Sequence, residues 1–138
     1  MSDFVHELRV RYHETDAQHH VYNARYLEYL DMAMVEYMRD LGWGYEELVE
    51  AGFDPVLGRV EMDFHRPARF DEVLRIVVRT ERIGGASFDI GFAVHGEDGE
   101  GIVSASIAYI NYDAASRSSV AIPPEVREKM QGGQSGST

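Results

Sequence analysis

The segment RYHETDAQHHVYNARYLEYL, Arg11 to Leu30, joins two unlike halves. The first is polar and sets Asp16 among His13, His19 and His20. The second opens a run of helical period. From Ala24 to Leu41, the residues Leu27, Leu30, Met34, Tyr37 and Leu41 fall on one stripe, widened by Tyr26, Ala33 and Met38. Arg25, Glu28, Asp31, Glu36 and Arg39 fall mostly on the other side, and Gly42 supplies a stop. At 1.5 Å per residue this helix is roughly 27 Å long. Its broad apolar arc predicts that it is covered rather than laid on the surface. Tyr45 to Ala51 reads as a second, shorter helix ended by Gly52.

Outward from this segment the period changes. Phe4 to Arg11 alternates apolar and polar residues as a strand does. After Pro55 the pattern is strand-like to Tyr112, with Val60, Met62 and Phe64 alternating, a denser run at Val73 to Val78, and a last long strand from Ile102. Gly96 to Gly101 (GEDGEG) and Ile83 to Ser87 (IGGAS) are turn signals between these runs. Pro123-Pro124 opens a short helix over Glu125 to Met130. The expected order is one strand, a long helix, a short helix, then about four antiparallel strands in meander. This is an α+β arrangement with one helix on one face of the sheet, the other face solvated or buried in an oligomer. Residues 1–130 form a single domain, and QGGQSGST (residues 131–138) is expected to be a flexible tail.

Composition narrows the function. The 138 residues are 44% hydrophobic and 27% charged, as in a folded domain. The formal net charge of −11 argues against sequence-independent nucleic-acid binding, which needs Lys and Arg against phosphate. No apolar run nears the ~20 residues of a membrane span. The start, MSDFVHELRV, shows no basic-then-apolar leader, so a cytoplasmic location is expected. There are no cysteines, which removes disulfides, thiolate metal sites and cysteine nucleophiles.

From the residues alone Asp16 has two readings: a turn or capping residue, or an acid-base group. A third reading takes His13, Asp16, His19 and His20 together as nitrogen and oxygen ligands for zinc or manganese, although no motif with a mechanical basis has that spacing. Tyr22, Tyr26 and Tyr29 read as core or interface packing, and His65 as a solvent-face or dimer-edge residue.

YHETDAQHHVYNARYLEYLDMA resembles the signature of hotdog-fold acyl-CoA thioesterases of the 4-hydroxybenzoyl-CoA thioesterase type: a Thr-Asp pair, a short loop, a Val, an Asn, then RYLEYL. DFHRPARFDEVLRIVVR and RIGGASFDIGFAV resemble later strands of that family, so the likeness runs from about Phe4 to Tyr112. The resemblance implies an antiparallel sheet wrapped around one long central helix, in a homodimer or homotetramer with active sites at the subunit interface. It implies hydrolysis of an acyl- or aroyl-CoA thioester to free acid and CoA, without metal or cofactor, coenzyme A being part of the substrate. Asp16 then matches the catalytic carboxylate, as general base or nucleophile, and Asn23 the residue whose backbone N–H polarises the thioester carbonyl. His20 matches an orienting histidine. His19 stands where relatives carry Gly, beside the substrate. For the CoA phosphates the candidates are Arg66, Arg69, Arg82 and the turn at Gly85 and Ser87. The rival classes are a protein that binds an acyl thioester without cleaving it, and a metal-assisted hydrolase built on the three histidines.

Overall fold

A sixteen-residue helix, α1 (Arg25–Asp40), runs through the centre of the computed structural model, which describes residues 3–132. Around it the chain forms β1 (Phe4–Arg9), a 3-10 turn (Tyr12–Glu14), α2 (Tyr45–Ala51), β2 (Pro55–Phe64), β3 (Val73–Ile83), β4 (Ser87–His95), β5 (Gly101–Asp113), β6 (Ser118–Ser119) and α3 (Pro124–Gly132). Of the expected tail, residues 131 and 132 belong to α3, and residues 133–138 lie outside the described residues.

The apolar arc read from the sequence is the buried one. Tyr26, Tyr29, Leu30, Ala33, Met34, Tyr37 and Met38 are buried, with Leu27 and Leu41 half-covered beside them. On β3, Leu74, Ile76, Val78 and Thr80 alternate into the same interior. Arg75 and Arg79 alternate away from it and pair with Glu7 at 3.0 Å and Asp3 at 2.6 Å. Period-two alternation thus gives the sheet one face for α1 and one charged face.

Three tyrosines bury their rings on α1 and hand their hydroxyls to fixed partners. Tyr26 Oη accepts from the Ala68 amide at 3.0 Å, Tyr29 Oη donates to Glu14 Oε1 at 2.8 Å, and Tyr37 Oη meets Thr80 Oγ1 at 2.7 Å. A buried hydroxyl left unpaired would cost about 1–3 kcal/mol, so these bonds fix where along the helix the sheet and the polar loop can sit.

The strand order is β1-β3-β4-β5-β2, all antiparallel, with β6 on β5. This corrects the simple meander. β3 has two edges; β4 takes one through the tight turn after Ile83 and β1 takes the other, from Phe4↔Val78 to Arg9↔Val73. β2 therefore pairs with β5, from Pro55↔Asn111 to Phe64↔Val103, and ends the sheet. Among the described residues its second edge is unpaired, and Val56, Leu57, Val60 and Phe64 along it are exposed, Phe64 by 53%.

Asn111 is fully buried and ties the far end together. Its side-chain oxygen accepts from the Asp54 amide at 2.9 Å, and its nitrogen donates to the Gly52 and Ala121 carbonyls at 2.9 and 3.2 Å. One amide joins the end of α2, the start of β2 and the strap leading to α3. Asn111→Ala strands all three partners, and is expected to lower unfolding free energy by about 3 kcal/mol, read as a shifted urea midpoint.

Candidate active site

The polar loop is a tight hairpin that returns into α1. Thr15 bridges Val21, the Tyr22 amide donates to the Glu14 carbonyl at 3.0 Å, and the Val21 amide donates to the Ala68 carbonyl at 2.8 Å. At the tip the Asp16 amide donates to the His20 carbonyl at 2.8 Å, and the His19 amide to the Asp16 carbonyl at 3.0 Å. This pattern needs a left-handed residue in the last loop position. His19 fills it, at φ 61°. The turn that a glycine makes easily is therefore kept with a histidine in its place.

The Gly96 hairpin repeats the design. There Gly96 donates to the Glu100 carbonyl at 3.0 Å, Gly99 donates to the Gly96 carbonyl at 2.9 Å, and Gly99 holds φ 80°. The two loops differ in who takes the strained place.

Asp16 sits first in its turn, and Oδ1 accepts from the Gln18 amide at 2.8 Å and the His20 amide at 3.3 Å. This is the Asx arrangement that favours Asp at turns. Its other oxygen makes no bond among the described residues, and the side chain is exposed in the single chain. At the root of the hairpin, α1 starts without a side-chain cap: Ala24 is helical, at φ −68° and ψ −20°. The Arg25 amide bonds back to the Tyr22 carbonyl at 2.8 Å, while among the described residues the Asn23 and Ala24 amides donate to nothing. Those free N–H groups lie at the positive end of the helix. About 10 Å of returning strand, from His20 to Asn23, separates the tip from them.

Asn23, Tyr26, Phe64, His65, Arg66 and Pro67 line a hollow of about 200 Å³ to which Asp16 does not contribute. His65 is exposed and bonds Ser104 Oγ at 3.0 Å. Tyr26 and Tyr29 are core residues, whereas Tyr22 is exposed.

The proposed phosphate residues divide into two places. Arg69 pairs with His20 across an isolated bridge, beside the Asp16 turn, and its guanidinium has no partner among the described residues. Arg66 is occupied. It reaches Glu72 at 2.7 and 3.2 Å, Asp98 at 3.2 Å and Glu100 at 3.7 Å, and is only 17% exposed. Three carboxylates around one guanidinium oppose a fourth anion. Gly96 makes room for the pair, since a Cβ there would run into Arg66 Nη2 and Glu72 Oε2. Arg82 holds Asp89 with two bonds at 2.8 and 3.1 Å and donates to Ser87 Oγ at 3.0 Å. The Gly85 carbonyl accepts from Ile122 and from Arg127 of α3. Arg82, Gly85 and Ser87 thus brace the β3–β4 turn. The sequence reading did not single out Glu72 or Asp98; only the Arg-Pro and Asp-Gly turns at which they sit were visible.

The three histidines do not converge on Asp16. His13 lies 4.0 Å from Glu14 and is exposed, and among the described residues no group of three His, Cys, Asp or Glu side chains is placed to hold a metal ion. No helix among them is long and apolar enough to cross a membrane.

A model of the thioesterase-like superfamily matches residues 10–130. The chain belongs to the thioesterase-like superfamily. Among its relatives is the long-chain acyl-CoA thioesterase FadM of Escherichia coli strain K12, 25% identical over 126 residues that cover 91% of this chain and 95% of FadM. A hypothetical protein of Aquifex aeolicus superposes with a TM-score of 0.85 at 27% identity, over 92% of this chain and 98% of that one. The 1,4-dihydroxy-2-naphthoyl-CoA thioesterase of Synechocystis shares the fold, with a TM-score of 0.84 at 17% identity over 94% and 96% of the two chains. The hotdog arrangement implied by the resemblance is the fold of this superfamily member: a curled antiparallel sheet around one helix.

Two outcomes follow from this geometry. His19→Gly relieves a side chain in the left-handed region and is expected to raise the melting temperature, by about 1 kcal/mol in stability. Glu72 is held below the ordinary carboxylate range, first by its bonds from Arg66. A depressed carboxyl adds stability above its unfolded pKa and loses it as pH falls through the folded value. Glu72→Gln is therefore expected to cost about 2 kcal/mol near pH 7, a deficit that shrinks in urea titrations as pH falls below the ordinary carboxylate range.

Proposed function

We propose that the protein hydrolyses an acyl-CoA thioester to a free acid and CoA. The observation that carries this reading is the hairpin from Asp16 to Asn23, with a carboxylate oxygen free at its tip and two undonated amides at its root, on an uncapped helix start. The family membership and the acyl-CoA activity named for FadM support it.

In the reaction, the thioester oxygen accepts from the Asn23 amide at the positive end of α1, which favours the oxyanion that forms on attack. The free oxygen of Asp16 has two routes. It takes a proton from water, whose oxygen adds to the carbonyl carbon, or it adds to that carbon itself and gives a mixed anhydride that water then cleaves. In either route the C–S bond breaks and the electron pair leaves on the CoA sulfur. His19 and His20 act as positioning residues that hold the turn. Arg69, unpaired beside His20, is the best-placed cation for a CoA phosphate.

The unpaired edge of β2, with four exposed apolar residues, supports a homodimer in which two β2 strands pair antiparallel and the sheets join. Such pairing lays Phe64 of one copy near Pro55 of the other, so the Asn23 hollow, which Phe64 lines, faces the second copy.

The test is thiol release over short, medium, long and aryl CoA esters. Asp16→Asn keeps an oxygen for the turn amides but removes the charge. It is expected to reduce kcat at least about 10²-fold with an unchanged melting temperature. An unimpaired variant would refute the assignment of Asp16. Tight ester binding with no thiol release across the whole panel would make this a binding protein.

A further inference from the structure

Glu14 is a carboxylate that the reaction above does not use, and it is mostly covered, its side chain 14% exposed. It ends the 3-10 turn two residues before Asp16. Its Oε1 accepts from the Arg11 amide at 2.7 Å and from Tyr29 Oη at 2.8 Å. The first bond is local, the habit of a Glu in the third position of a turn. The second is not, since it reaches Tyr29, fifteen residues further along the chain and four residues past the start of α1. Among the described residues no Lys or Arg forms an ion pair with Glu14, and His13 Nε2 lies 4.0 Å from it. Covering a carboxylate without a close cation is costly, so the site must use what its two bonds hold.

The same residue holds the other arm of the hairpin. The Glu14 carbonyl accepts from the Tyr22 amide at 3.0 Å, so its backbone ties the returning strand while its side chain ties the helix. Asp16 stands two residues from Glu14, about 7 Å along the outgoing arm, and Tyr22 adjoins Asn23. Tyr29 is a firm anchor. It is 1% exposed, its ring meets that of Tyr26 edge-on at 6.0 Å, and Tyr26 is itself bonded to the Ala68 amide. Burial, and then the bond to Glu14, push the Tyr29 hydroxyl up, so it stays a donor. The carboxylate end and the amide end of the site are both measured from Glu14.

We propose that Glu14 is a positioning residue: through Tyr29 it sets where the Asp16 carboxylate stands relative to the Asn23 amide, and with it the rate of the chemical step. The proposal rests on the acyl-CoA reading above. A displacement of about 1 Å at a reacting group can cost about 10²-fold in rate. Glu14 acts on that distance from behind the hairpin, so its loss lowers kcat and leaves KM in place. What the position requires is an acceptor oxygen and not a charge. A Gln at residue 14 offers the same oxygen to Arg11 and Tyr29, and an Ala offers none.

The experiment is a mutant cycle read by thiol release from the best CoA ester of the panel, each protein assayed well below its own melting temperature. Glu14→Ala is expected to lower kcat about 10²-fold with KM within about twofold of wild type, and Glu14→Gln to stay within about threefold in both. Tyr29→Phe keeps the packed ring and removes only the donor, so it serves if Glu14→Ala does not fold; a fall of about tenfold in kcat is expected. On an Asp16→Asn background Glu14→Ala is expected to add no further loss, because both act on one group. A wild-type kcat in Glu14→Ala or Tyr29→Phe, a change confined to KM, a Gln variant as impaired as the Ala variant, or a loss that adds to that of Asp16→Asn overturns the proposal. A second readout needs no turnover. Amide exchange at Gln18 and His20, which Asp16 Oδ1 holds, is expected to quicken about tenfold in Tyr29→Phe and to keep its wild-type rate in Glu14→Gln. Unchanged exchange in Tyr29→Phe overturns the positioning role whether or not the protein hydrolyses esters. A wild type that releases no thiol sinks the hydrolase alone, and the exchange rates then decide whether Glu14 holds the turn.

Discussion

The position of α1 depends on three hydroxyls. A helix covered by a curled sheet can slide or rotate with little loss of apolar contact, because hydrophobic burial is non-directional. Hydrogen bonds inside the core remove that freedom. Tyr26 fixes the first turns of α1 to the segment after β2, Tyr29 fixes them to the Asp16 hairpin through Glu14, and Tyr37 fixes the far half to β3. The start of α1 is thereby held beside the loop that brings the carboxylate. Tyr109 departs from this rule: among the described residues its buried hydroxyl has no partner.

The Asp16 hairpin and the Gly96 hairpin show how one backbone solution serves two ends. At Gly96 the strained position belongs to glycine, and the crowded neighbour is the Arg66–Glu72 pair that braces the segment after β2. At Asp16 the strained position belongs to His19. A side chain in the left-handed region costs stability that a glycine would not, and such strain tends to collect at working sites. The bracing around Arg66 helps the loop tolerate it, because the next turn, Arg69 to Glu72, is tied to both: the Arg69 amide donates to Glu72, and the Phe70 amide to the His19 carbonyl.

Periodicity made the central helix, α2 and the long strands readable, since each has one buried face and a local stop. The resemblance of the Asp16 segment added the wrapping of the sheet. The strand order was not readable as a meander, because edge choice is decided by β1, a strand more than sixty residues away from its partner β3. β6 is two serines long and carries no pattern. In the site, a turn role was one of the readings that residue type gave Asp16, and the place of His19 was marked by the resemblance, in which relatives carry Gly there. The fate of the arginines did not. Arg66 and Arg82 look alike in sequence to Arg69, and only the fold shows that carboxylates six and seven residues further on already occupy the first two.

The Asx arrangement at the tip of the hairpin divides one side chain into two jobs. One oxygen shapes the loop, and the other, which makes no bond among the described residues, is the one assigned to chemistry in the proposed reaction. A side-chain amide can do the first job and not the second. If the proposed reaction holds, shape and reactivity are separable here by a single-atom exchange, without rebuilding the scaffold.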